Sequence, residues 1–217
     1  MRTRRNFLQR LALTSGAVVL MPAVSNCSGA QSAAIAAGDA VPMAQPPRWD
    51  AVTFNRVRGN AGAIPASYLD DINGPDGDTN HLGKHLPYVP ELDAQTLPAG
   101  MIAIMWGDPN KEHARHPNAP RNEANNNEGH WYNWIRISKA TDADREEVQS
   151  TYTDWPGIGS GASGAYAVHG DGSLEDEGGK NTIYLAALPS DVGSGDTIRI
   201  YAHCLTHGEY VDFLTLP

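Results

Sequence analysis

Short runs rich in β-branched and aromatic residues recur through the second half of the chain: "MIAIMW" (101–106), "HWYNWIRIS" (130–138), "AYAVHG" (165–170), "NTIYLAALP" (181–189), "DTIRIYAHC" (196–204) and "EYVDFLTL" (209–216). Clusters of Gly, Pro, Asn and Asp separate them, so each run is bounded by residues that turn the backbone. The pattern predicts six strands of an antiparallel β-sandwich or barrel. Only "TDADREEVQS" (141–150) has helical character, while "SGASG" (160–164) and "GDGSLEDEGGK" (170–180) read as surface loops. Within "TIRIYAHC" the two-residue period of a strand puts Ile198, Ile200, Ala202 and Cys204 on one face and Thr197, Arg199, Tyr201 and His203 on the other. The apolar face predicts that Cys204 points inward and His203 outward.

The first 38 residues follow different rules. Arg4 and Arg5 stand before Phe7 and Leu8 and an interrupted apolar run, the layout of a twin-arginine export leader. "VSNC", ending at Cys27, stands where a lipidation box would, although Asn26 is a poor residue before the cysteine; Cys27 is either a lipid anchor or discarded with the leader. Residues 1–38 are expected to be leader and the start of a linker, and 39–80 linker and amino-terminal extension. In that extension "RWDAVTFNRVRG" is read as an added strand or a docking surface. Residues 81–217 are then the functional β-domain, and the localisation expected is periplasmic or exported.

Charge narrows the function classes. Of the 16 Lys and Arg residues, four precede the first acidic residue, Asp39, leaving 12 against 25 Asp and Glu, a formal charge of −13. No basic patch is available to neutralise phosphates, which argues against nucleic acid as a partner.

Without the leader Cys204 is the only cysteine, so it has no thiol partner and must be buried, reactive or liganded. His207 follows it by three residues and Gly208 permits a tight turn, which would hold Cys204 and His207 around one point. Eight histidines supply further imidazoles. His85 in "GKHLPYVP", His116 in "ARHPNAP" and His130 in "EGHWYNW" lie in informative contexts, and on spacing alone His113 serves as well as His116. His81 and His85, or His113 and His116, also have spacings that suit zinc on a helical face, against which the following prolines argue. "LDDINGPDGDTN" (69–80) lacks the glutamate of an EF-hand and reads as a solvated acidic loop.

Together these segments resemble the iron domain of the superoxide reductases, the desulfoferrodoxin and neelaredoxin family. The matching pieces are Lys84-His85-Leu86-Pro87, His116-Pro117-Asn118, His130 at the head of a strand, and Cys204-x-x-His207-Gly208, all between about residue 80 and the end of the chain. The resemblance implies an all-β, immunoglobulin-like antiparallel β-sandwich with long loops. It also implies one iron per chain, ligated by His85, His116, His130, His207 and Cys204, with superoxide as substrate and an external electron donor. Lys84 is then the catalytic cation that attracts the anionic substrate in an acidic protein. Trp131 and Trp134 are expected either over the core and the site, sheltering it, or as ordinary core packing. The chain departs from the family pattern at Gly83, where a glutamate is common, at Tyr210, where tryptophan is common, and in the longer interval between His116 and His130.

Two other readings share the same residues. A cupredoxin-like electron carrier also has a β-sandwich and a carboxy-terminal Cys-x-x-His, but an axial Met or Gln downstream of Cys204 is missing. An iron-binding domain without superoxide turnover is the other.

Overall fold

In a computed structural model, the described residues are 41–91, 97–123, 127–153, 166–168 and 179–217. The leader, Cys27, the tether up to residue 40, "SGASG" and most of "GDGSLEDEGGK" lie outside them. Among the described residues no helix is long and apolar enough to cross a membrane.

The chain is mostly strand, in two four-stranded antiparallel sheets, an arrangement compatible with a β-sandwich. Strands β1 (Pro87–Tyr88), β2 (Met101–Trp106), β5 (Tyr166–Val168) and β6 (Thr182–Ala187) form one sheet in the order β1-β2-β6-β5. The other has the order β4-β3-β7-β8, from β3 (Tyr132–Lys139), β4 (Glu147–Thr151), β7 (Thr197–Cys204) and β8 (Gly208–Thr215). All six sequence-predicted strands are present. Side chains from both sheets share one core: Ile102, Ile104, Trp106, Tyr184 and Ala186 from the first, and Ile135, Ile137, Ile198, Ile200, Ala202 and Cys204 from the second. A small cluster of Ala103, Met105 and Ile183 covers the other face of the first sheet, which is why "MIAIMW" is a continuous apolar run and does not alternate.

Two sequence expectations are corrected here. Residues 147–150 of the stretch read as helical belong to β4 (Glu147–Thr151), because Trp134 to Ser138 of β3 offer a sheet edge with which the strand pairs in register. Tertiary pairing overrides a polar, helix-compatible composition. The segment around "RWDAVTFNRVRG" is helical and adds no strand. Helix α1 (Ala51–Arg58) starts at Asp50, whose carboxylate accepts from the backbone N–H groups of Val52 and Thr53. A π-type turn (Gly59–Ala63), a 3-10 turn (Ala66–Tyr68), helix α2 (Leu69–Asn73), a second π-type turn (Gly77–Leu82) and a second 3-10 turn (Gly83–His85) follow.

This helical segment covers an edge that would otherwise be open. Among the described residues strand β8 pairs with β7 alone, and an unpaired edge invites association. The Asn55 side chain donates to the Val211 carbonyl at 2.7 Å and accepts from the Val211 N–H at 2.9 Å, as a neighbouring strand would. Ile64, Ile72 and Leu82 enter the main core from the same segment, so the helices are built onto the sheet and deliver His81, Lys84 and His85 to its end.

Candidate metal centre

Each prospective ligand is placed by backbone structure. Cys204 ends β7 with its side chain in the core, fully buried. Gly208, paired with Cys204, opens β8 at a φ of +85°, and a Cβ there would run into the Ala63 carbonyl. Only glycine closes this turn beneath the helical segment, and the turn brings His207 Nδ1 to 3.7 Å from Cys204 Sγ. After β2 the His116 N–H donates to the Trp106 carbonyl at 3.1 Å, setting His116 Nε2 at 3.6 Å from the same sulfur. Ala119 and His130 exchange two backbone hydrogen bonds of 2.9 Å, which close the loop between them and aim His130 inward. His85 ends the 3-10 turn 83–85.

Five potential ligand atoms, from His85, His116, His130, Cys204 and His207, therefore lie within 4.8 Å of one another. His85 Nε2 and His130 Nε2 each stand 3.0 Å from His207 Nδ1. Two nitrogens bound at right angles about 2.1 Å from one ion stand about 3.0 Å apart. The protonation pattern agrees with that geometry. His85 Nδ1 faces the His81 carbonyl at 2.6 Å; a carbonyl only accepts, so Nδ1 carries the proton and Nε2 presents a bare lone pair to the cluster.

Electrostatics point the same way. Burial holds His85 and His116 well below the ordinary imidazole range, lowers His130 to about 3, and depresses His207 further. The imidazoles are thus neutral donors at any ordinary pH. Burial pushes the Cys204 thiol up to about 12, so without a cation the sulfur keeps its proton and a metal ion must displace it. Four neutral imidazoles and a thiol with converging ligand atoms in a largely buried site fit a metal ion, and this group could hold one.

Outer partners fix the donors. The Tyr210 ring stacks on His85 with centroids 4.2 Å apart at 7°. Its hydroxyl donates to the His207 carbonyl at 3.1 Å, which leaves it to accept from His81 Nε2 at 3.2 Å. Tyr132 donates to the His85 carbonyl at 3.3 Å. Asn118 donates to the carbonyls of His116 and Gly179 and accepts from the Tyr184 hydroxyl, locking the His116-Pro117-Asn118 segment. Such partners govern ligand orientation as much as the ligands do.

The structure separates alternatives that spacing left open. His116 joins the cluster, while His113 packs on Gly83, where a Cβ would collide with the His113 ring and the Asp78 carbonyl. That closure leaves no room for a side chain at the position where the resemblance leads one to expect glutamate. His81 is buried behind the ligands and offers its carbonyl and Nε2 as supports. His203 lies on the opposite face of β7, held by Asn133 at 2.6 Å and stacked on Trp134. A bulge in β3 sets Tyr132 opposite Cys204 and Trp134 opposite His203. The expectation that Trp134 covers the site is thereby corrected, because the extra residue turns it outward; Trp131 is a core residue bonded to the Tyr152 carbonyl. Lys84 is half-buried and lines a cleft of about 360 Å³ with Asp70, Asp71, Asp76, Asn80 and His81. Burial lowers its pKa, with Cys204 and Asp71 acting in the opposite direction. Sequence reasoning missed the role of Tyr68, whose ring meets His207 edge-on at 4.4 Å; nothing local distinguishes it from an ordinary half-buried tyrosine.

Comparison with known proteins returned no matching family model, no matching curated protein and no matching solved structure.

Proposed function

We propose that the chain is an exported mononuclear non-haem iron protein that reduces superoxide to hydrogen peroxide at a centre of four histidines and one cysteine, on an immunoglobulin-like β-sandwich. The observation that carries this reading is the convergence of His85, His116, His130, His207 and Cys204 within 4.8 Å, one sulfur among four imidazole nitrogens. An iron ion held there would supply one electron, which with two protons converts superoxide to hydrogen peroxide, and an external donor would restore the ferrous state.

The chain's own residues have distinct parts in this scheme. Cys204 would hold the ion as a thiolate and would supply electron density to it, the lever that thiolate ligands exert on haem iron. The four imidazoles stay neutral because burial keeps them so, and with a divalent ion and one thiolate the site would carry a net positive charge able to attract an anion. Lys84 adds a local positive charge within electrostatic reach of Cys204. In a chain of overall negative charge, screened beyond about 8 Å, a local cation of this kind decides the field at the site. Lys84 also offers a proton to the product as it leaves.

Metal analysis and visible spectroscopy of the purified chain, followed by superoxide consumption with peroxide and dioxygen quantified, test the proposal. One iron per chain, a thiolate-to-ferric band on oxidation and peroxide without dioxygen are expected. A blue copper band, or no stoichiometric metal, would overturn it.

A further inference from the structure

We propose that Tyr68 is the gate of the metal centre: its ring stands on the solvent side of the ligand cluster and sets the largest exogenous ligand that reaches the ion. Among the described residues three tyrosines touch the ligand rings. Tyr132 and Tyr210 are buried, at 0% and 1% exposure, and support His85 and His116 from the core. Tyr68 is half-buried and packs edge-on to His207 with centroids 4.4 Å apart at 71°, and against His81 at 5.6 Å. His207 and His130 are the two ligand candidates nearest the surface, so Tyr68 leans on the outward side of the set. Its hydroxyl lies within electrostatic reach of Cys204 on the core side and of the exposed Glu128 and Asp71 on the surface side.

The ring is also held in place. Tyr68 ends the 3-10 turn 66–68, and Ile64 and Ile72 on either side of it are anchored in the main core at 1% and 0% exposure. With the backbone anchored on both sides and the ring packed on the core, His207 and His81, Tyr68 is the steric limit on that side of the cluster. His81, which the Tyr68 ring also meets, lines the neighbouring cleft together with Lys84, Asp70, Asp71 and Asp76. The helical segment thereby contributes selectivity to a site whose ligands come mostly from the β-domain.

This inference rests on the proposed cluster holding a metal, but neither on that metal being iron nor on superoxide being the substrate. The test therefore uses the full chain loaded with cobalt(II), whose visible bands report exogenous ligands without turnover. Azide and imidazole are titrated as small and ring-sized probes, and the rate of cobalt loss to a chelator is followed. Tyr68→Ala should raise imidazole affinity relative to azide by about tenfold, the scale of a single steric contact, and speed cobalt loss, whereas Tyr68→Phe should match the wild type in both. Should Tyr68→Ala not fold, Tyr68→Leu and Tyr68→Trp replace it, with Leu admitting imidazole and Trp excluding it. An unchanged azide-to-imidazole ratio in every variant, or equal changes in the Ala and Phe variants, would overturn the gate. A gate supported in cobalt by a chain that does not consume superoxide would leave the gate standing and overturn the proposed function alone.

Discussion

His85 Nδ1 donates to the carbonyl of His81 at 2.6 Å, and through this one bond the helical segment dictates which face of a buried imidazole is available to a metal. The ligand and its orienting acceptor are one helical turn apart, so the local fold carries the tautomer choice with it. The His81 side chain is not needed for this bond. It acts instead on Tyr210, whose ring covers His85 and whose hydroxyl holds the His207 carbonyl.

Tyr210→Phe keeps the stacked ring and removes both hydrogen bonds. Metal affinity should fall by about tenfold, the lower end of the range for supporting partners, with little change in metal stoichiometry at saturation. Competition with a chromophoric chelator gives the affinity; an unchanged value would mean that the stacked ring alone positions His85.

Cys204→Ser should abolish the thiolate-to-metal charge-transfer band, because the hydroxyl replacing the sulfur does not ionise in a buried site, and should lower metal retention. Cys27→Ser should leave the spectrum of the mature chain unchanged. Recording both variants against the wild type on the same metal separates the two cysteines.

Gly208→Ala places a side chain at a φ of +85° against the Ala63 carbonyl. The strain and the displaced turn should cost about 2 kcal/mol or more. Because His207 sits in that turn, weakened metal binding should accompany the loss. Denaturant unfolding of the metal-free protein measures the first effect and metal titration the second.

Lys84→Ala removes a positive charge close to the cluster while sparing its ligands. The second-order rate with superoxide should drop about tenfold or more at low salt, and the dependence on ionic strength should change, since local charge acts through steering. Pulse radiolysis or stopped-flow over a range of salt concentrations reads both. A rate insensitive to the substitution would remove Lys84 from the mechanism.

Asp212 sits in the core side of β8 at 4% exposure, accepting from Trp49 Nε1 at 2.7 Å, and burial raises its pKa above the ordinary 3.8. A raised carboxyl pKa means that the folded chain keeps a proton that the unfolded chain has released. Stability contributed by this group is therefore highest in acid and declines as pH rises from about 4 through the folded-state value. Asp212→Asn should remove that decline, so that its stability relative to the wild type grows as pH rises through this window and then levels off. Chemical denaturation at several pH values, with the difference between the two proteins plotted, checks the sign.

The amino-acid sequence alone determines the strands whose apolar positions repeat every second residue, the inward direction of Cys204, and the Cys204-x-x-His207-Gly208 turn. Each depends on residues close in the chain, so local pattern suffices. It also brings forward His85, His116 and His130 as candidates, while leaving His113 equivalent to His116 on spacing. Only the tertiary structure decides between those two, since the choice depends on backbone hydrogen bonds to Trp106 and on packing against Gly83. The same holds for strand β4, which exists because β3 offers it an edge, and for the bulge that sends Trp134 outward. The amino-terminal segment shows the division best. Read locally it suggests an added strand or a docking surface, and its helices, with the placing of Asn55 along the β8 edge and of Tyr68 on His207, depend on contacts between residues far apart in the chain. Such contacts are set by shape, burial and hydrogen-bond satisfaction across the whole core, and no local pattern encodes them.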